Sequence, residues 1–158
     1  MEFATAIITY AASTQSLRDE PSLCTHPYPV VKNYTDNTAT ESWTKKSVTC
    51  SDKGRALGLI YSNLLRGNNL SSNSFHLAGV LNVLADKISR LSTPHTPPNF
   101  QLLTQEFPQL NHCKRFRPSP VLVSSLLQGL LSGLPPTLVT HERLGHFDPA
   151  NNGGVTSV

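Results

Sequence analysis

The stretch YPVVKNYTDNT, residues 28–38, decides how the chain is read. Tyr28 to Thr35 is rich in β-branched and aromatic residues, which suit the pleated, half-buried surface of a strand. Asp36 and Asn37 end the strand, because their short polar side chains bond the neighbouring backbone and favour turns. The next residues, TATESWTKK (38–46), read as a short helix. A strand that runs through a carboxylate turn into a helix points to α/β layering.

Upstream, Glu2 to Ser13 reads as a helix with apolar residues on nearly all sides, hence a buried one. Residues 14–27 are polar, contain Pro21 and Pro27, and read as a loop. Downstream, Ser51 is placed to cap a helix that carries Leu57, Ile60, Tyr61 and Leu64 at helical spacing as far as Gly67. Leu70 to His76 reads as a second strand. Gly79 precedes another helix, with Leu81, Leu84, Ala85, Ile88 and Leu91 along one face. The order is helix, strand, helix, helix, strand, helix. Two strands make a thin sheet for so many apolar helices, so the pattern implies further strands, expected before residue 1, and a truncated or fragmentary chain.

Composition breaks at residues 92–98 (STPHTPP), a Pro-rich linker. Beyond it, residues 99–134 read as a small helical segment. Phe100 to Phe107 forms a short helix there, and Ser119 caps an apolar helix to Leu131 with Pro120 at its first position. The basic run Lys114 to Arg117, interleaved with Phe116, could touch nucleic acid; the favoured alternative is an amphipathic helix packed on the main domain. Residues 135–158, rich in Gly, Pro, Asn and Thr, are expected to be disordered.

The chain has 158 residues, with thirteen Lys and Arg against ten Asp and Glu, a net charge of +3. That is neither a charged disordered tail nor a highly basic nucleic-acid binder. Three widely spaced Cys argue against a disulfide framework and for a reducing, intracellular compartment, cytoplasm or nucleus. Glu2 stands where a secretory leader wants a basic residue, and no apolar run is long enough for a membrane span. Cys24, His26, Cys50, His112, Cys113, His141 and His146 form no tightly spaced pair of the kind zinc requires.

Four groups stand out by position: Glu2 at the start of the first helix, Asp36 at the end of the first strand, His76 at the end of the second, and Asp86 in the following helix. Asn82 lies four residues before Asp86, so the two share a helix face. Carboxylates at a strand end and on flanking helices can converge at one sheet edge. Clustered carboxylates repel and need a cation; oxygen-rich sets suit Mg²⁺ or Mn²⁺, and two such ions can activate a water and stabilise a leaving oxygen in phosphodiester cleavage.

At these residues the sequence resembles a family. YTDNT (34–38) looks like the strand-end Asp motif of ribonuclease H domains found on the C-terminal side of retroelement reverse transcriptases. HLAGVLNVLADKISR (76–90) resembles the end of the same domain, matching at His76, Gly79, Asn82, Ala85, Asp86, Ser89 and Arg90. TDNTATESW (35–43), GRALGLIYSNLL (54–65) and NVLADKISRL (82–91) look most like DIRS-like and related retrotransposon polyproteins. The resemblance spans residues 1–91 and implies an incomplete ribonuclease H-like α/β fold. It implies that Glu2, Asp36 and Asp86 hold Mg²⁺ or Mn²⁺ and that His76 assists proton transfer or product release. Asn82 would orient the site or touch nucleic acid. Trp43, Lys45 and Lys46 could contact the nucleic-acid backbone; the other reading of that trio is a solvated helix end with one packed Trp. The implied substrate is an RNA–DNA hybrid, the implied partner the polymerase portion of a polyprotein, and no membrane is involved.

One departure bears on activity. The family opens with a strand that carries a first metal-bridging Asp, followed by two further strands, and none of these lies within residues 1–158. Two function classes therefore stand side by side. One is a metal-dependent endonuclease for the RNA strand of hybrids. The other is a non-catalytic retroelement remnant, inert or binding nucleic acid or protein weakly.

Overall fold

The computed structural model describes residues 2–46, 51–91, 100–134 and 144–148. The fold is mixed α/β, in the order α1 (Glu2–Asp19), β1 (Val30–Thr35), α2 (Thr38–Lys46), α3 (Asp52–Gly67), β2 (Ser71–His76), α4 (Val83–Leu91), α5 (Phe100–Glu106), β3 (Phe116–Pro118), α6 (Pro120–Ser132) and β4 (Gly145–Phe147). The chain forms two compact units. One is built on Met1–Leu77 with Arg117–His146, the other on Ala78–Phe116 with Phe147–Val158.

In the first unit β1 and β2 pair in parallel, with Val30 opposite Ser71 and Thr35 opposite His76. Parallel neighbours need a long crossover, and α2 and α3 supply it. The ladder extends one bond at each end, Ser71 N–H donating to the Pro29 carbonyl and Leu77 N–H to that of Thr35, each at 2.9 Å. The strand opens at Val30 rather than at Tyr28. Pro29 has no N–H to give a ladder, although its carbonyl still takes part.

Side-chain parity separates two faces of this sheet. Asn33 and Ser74 are buried, while Val30, Lys32, Tyr34, Ser71, Asn73 and Phe75 are exposed. On the buried face Thr44 of α2 and Ser74 of β2 share a hydrogen bond at 2.7 Å. Tyr61 of α3 donates to the Ser72 hydroxyl.

Helix α1 supplies much of the core. Phe3, Ile7, Tyr10 and Thr14 follow helical spacing and are all buried, while Thr5 and Thr9 face solvent. The helix therefore has an outer face, where the sequence suggested apolar groups on nearly all sides. It also runs to Asp19 rather than stopping at Ser13. Thr14 donates to the Tyr10 carbonyl at 2.7 Å and so stays buried within the helix; the polar stretch that read as a loop is in part an inward face. An aromatic cluster joins three helices: Phe3 lies 5.5 Å from Trp43 and 5.8 Å from Tyr61, and Tyr10 lies 5.2 Å from Tyr61. Burying each such side chain contributes about 1.5–3 kcal/mol. Burial also pushes the Tyr61 hydroxyl above its usual pKa; the hydrogen bond to Ser72 opposes this and Tyr10 adds to it.

Helices α3 and α6 begin as their sequences suggested. Ser51 accepts from Gly54 N–H at 3.0 Å and Ser119 from Leu122 N–H at 3.2 Å, so each hydroxyl satisfies an open first-turn amide. Helix α6 packs on α3 through Leu122, Leu126 and Gly129. It belongs to the same unit as the β1–β2 sheet, in line with the reading of a helix packed on the main domain.

In the second unit a short 3-10 helix, Gly79–Leu81, precedes α4, which starts at Val83 rather than directly after Gly79. Lys87 pairs with Glu106 and lies 5.9 Å from the centre of the Phe107 ring. Phe116 and Phe147 have ring centres 5.2 Å apart. Strand β4 falls in the segment expected to be disordered. Leu144, beside it, is buried and its carbonyl accepts from Ser119 N–H at 2.8 Å, so an apolar residue and a backbone bond order a short piece there. The Pro-rich linker 92–98 and the rest of the tail lie outside the described residues.

Candidate functional site

The C-terminal edge of the β1–β2 sheet gathers the chemistry of the first unit. Asp36 follows Thr35, and Thr35 is the register partner of His76. Two residues forty apart in sequence thus arrive at one edge through parallel pairing. The turn that presents Asp36 is built by its neighbour: Asn37 N–H donates to the Thr35 hydroxyl at 3.2 Å, and Asn37 Oδ1 accepts from Thr40 N–H at 2.9 Å. Asn37 therefore closes the strand and starts α2, and Asp36 is held between the two with its side chain exposed.

His76 shares the parity of Ser72 and Ser74, so its side chain leaves the sheet on the helix-covered face, exposed at the strand end. Leu77 directs its N–H to β1, so the His76 N–H points to the outer edge of β2. Glu41 of α2 meets it there. Its carboxyl sits below the usual carboxylate range because Lys45 donates to it at 2.6 Å, which outweighs the opposing effect of burial; the Lys45 charge and then the charge and backbone N–H of His76 add to the lowering. Sequence reading passed over Glu41. Its signal was Lys45 at i+4 on a helix starting just after Asp36, a pairing that also reads as ordinary helix support.

The other expected residues are distributed as follows. Trp43 is half-buried and packs against Phe3, and Lys45 is engaged with Glu41. Lys46 is exposed at the end of α2. Glu2 opens α1, and its side chain lies outside the described residues. Asn82 and Asp86 are in the second unit. Asn82 accepts Asp86 N–H at 3.0 Å through its backbone carbonyl. The Asp86 carboxylate is forked onto Arg90, with contacts at 3.1 Å from Nε and 2.9 Å from the terminal nitrogen.

Among the described residues no three His, Cys, Asp or Glu side chains gather closely enough to hold a metal ion. As described, the residues do not make up the carboxylate set that Mg²⁺ or Mn²⁺ would need. The sheet edge itself offers the exposed Asp36 carboxylate, the His76 imidazole, and a Glu41–Lys45 pair within α2 whose carboxylate also meets the His76 N–H. Cys24 and Cys113 are free thiols, and Cys50 lies outside the described residues. Among the described residues no helix is long and apolar enough to cross a membrane. Comparison with known proteins returned no matching family model, no matching curated protein and no matching solved structure.

Proposed function

We propose that the chain carries part of a retroelement ribonuclease H-like domain, whose parent activity is metal-dependent cleavage of RNA in RNA–DNA hybrids. One observation supports this above the others. The β1–β2 pair is parallel, is bridged by two helices, and brings Asp36 and His76 to the same edge. The resemblance implies that arrangement for a strand-end Asp and the histidine forty residues on. In this reading Asp36 is a metal-binding carboxylate and His76 moves a proton or helps release product. The resemblance assigns the remaining roles to Glu2 at the start of α1 and, in the second unit, to Asp86 of α4 and Asn82 just before it.

A second reading, a non-catalytic remnant that holds nucleic acid without cutting it, draws on the ion pairs. Asp86 is committed to Arg90 and Glu41 to Lys45, so two carboxylates of these motifs already have cationic partners. The deciding experiment offers the full chain a labelled RNA–DNA hybrid in Mg²⁺ or Mn²⁺, with Asp36→Asn alongside. Cleavage that disappears in Asp36→Asn supports the nuclease reading. A folded chain that does not cut the hybrid overturns the nuclease reading and supports the remnant, a binding one if the hybrid is retained and an inert one if it is not.

A further inference from the structure

The open face of the β1–β2 sheet carries an aromatic pair. Tyr34 is 60% exposed and Phe75 36% exposed, and the two are register partners. Their rings stack with centres 5.4 Å apart and planes 24° from parallel. Two residues back along the strands, about 6.6 Å at the usual rise, stand Lys32 and Asn73, again paired and exposed. Val30 and Ser71 complete the face, which has no carboxylate among its six side chains. Leaving two aromatic rings in water forgoes the burial that would stabilise the fold, and exposed groups of this kind mark contact surfaces.

From this geometry we infer that the face binds single-stranded nucleic acid, with unpaired bases stacked on Tyr34 and Phe75. Every base has a π-face, so a base can extend the stack of two nearly parallel exposed rings whatever its identity. Lys32, exposed on the same face, offers an ammonium to the phosphate of a stacked base. The Asn73 amide offers a donor and an acceptor to a base edge. A second copy of the chain suits the face less well. Six side chains cover far less than the roughly 1,200 Å² that a stable interface buries. The site is separate from the Asp36–His76 edge and does not rest on the cleavage reading.

The test measures fluorescence anisotropy of a labelled oligouridylate of about twelve nucleotides with the full chain in EDTA. Chelation removes any metal-dependent cleavage from the readout, so failure of the nuclease reading leaves this result unchanged. We expect saturable binding that weakens at least about tenfold in Tyr34→Ala and in Phe75→Ala and persists in Phe75→Trp. Lys32→Gln should shallow the salt dependence by about one phosphate contact. Far-UV dichroism checks that the ring variants fold; Lys32→Glu probes the same face without touching a ring and should also weaken binding. Equal affinity in the Tyr34→Ala, Phe75→Ala double variant overturns the proposal. So does a folded wild-type chain that ignores the unpaired strand, or sedimentation showing that these rings instead join two copies.

Discussion

Glu41 and Asn33 mark opposite outcomes for a polar side chain. Glu41 is engaged twice, by the Lys45 ammonium and by the His76 N–H, and its carboxyl is held below the ordinary range. A carboxyl lowered in the folded state stabilises the fold above the unfolded pKa, and that contribution disappears as pH falls through the folded one. We therefore expect Glu41→Gln to lower the urea midpoint at neutral pH, and the gap to wild type to close on acidification below the ordinary carboxylate range. A gap independent of pH would mean that Glu41 acts through packing alone. Asn33 is buried in β1, and its Nδ2 has no hydrogen-bond partner among the described residues. A buried donor left unpaired carries its desolvation cost, and Asn is a poor strand residue. Asn33→Val should raise stability by about 1 kcal/mol in urea unfolding; a loss would show that the amide oxygen holds the strand in place.

The elements most legible in the sequence were those with a chemical start signal. Asp36 and Asn37 closed β1, and Ser51 and Ser119 fixed the starts of α3 and α6. Their hydroxyls are the chemically suited acceptors for open first-turn amides, a choice made within a few residues. The second half of α1 was not legible. Whether Thr14 and Gln15 lie in a loop or on an inward helix face depends on what packs against them, and local composition carries no trace of that. The pairing of β4 with β3 was hidden for the same reason. Two glycines of α6 give opposite predictions. At Gly129 an added Cβ would stand 3.4 Å from Ala56 Cβ and 3.6 Å from Leu57 Cδ2, an ordinary contact, so Gly129→Ala should stabilise by about 0.5–1 kcal/mol through helix propensity. Gly133 ends the helix in the left-handed conformation, φ +66°, and an added Cβ would stand 3.0 Å from Asp52 Cβ. Gly133→Ala should cost about 1–2 kcal/mol. Thermal unfolding of the two variants, side by side, reads both signs.

At the scale of the molecule the two units differ in how much they bury. The first contains the aromatic cluster of Phe3, Tyr10, Trp43 and Tyr61, the α3–α6 contact, and nearly all of the buried apolar side chains. In the second, Leu103 is the one buried apolar side chain among the described residues, while Val80, Leu81 and Val83 are exposed. The sequence did not foretell this. Leu81, Leu84, Ile88 and Leu91 have the spacing of a core-facing helix, and spacing states which residues share a face but not what covers it. It is also why the candidate site was only half legible: Asp36 and His76 were joined by strand order, whereas Asp86 depends on where a helix docks. Local opening costs least where little apolar surface is buried. We expect hydrogen exchange to show amides of α1, α3 and α6 protected close to the global limit, and those of α4 and α5 exchanging at far lower opening free energy. Trp43, the single tryptophan, reports on the first unit alone. Low urea should therefore reduce the helical far-UV signal before Trp43 fluorescence changes. If both signals fall together and protection is uniform, the two units unfold as one and the difference in burial does not set their stability.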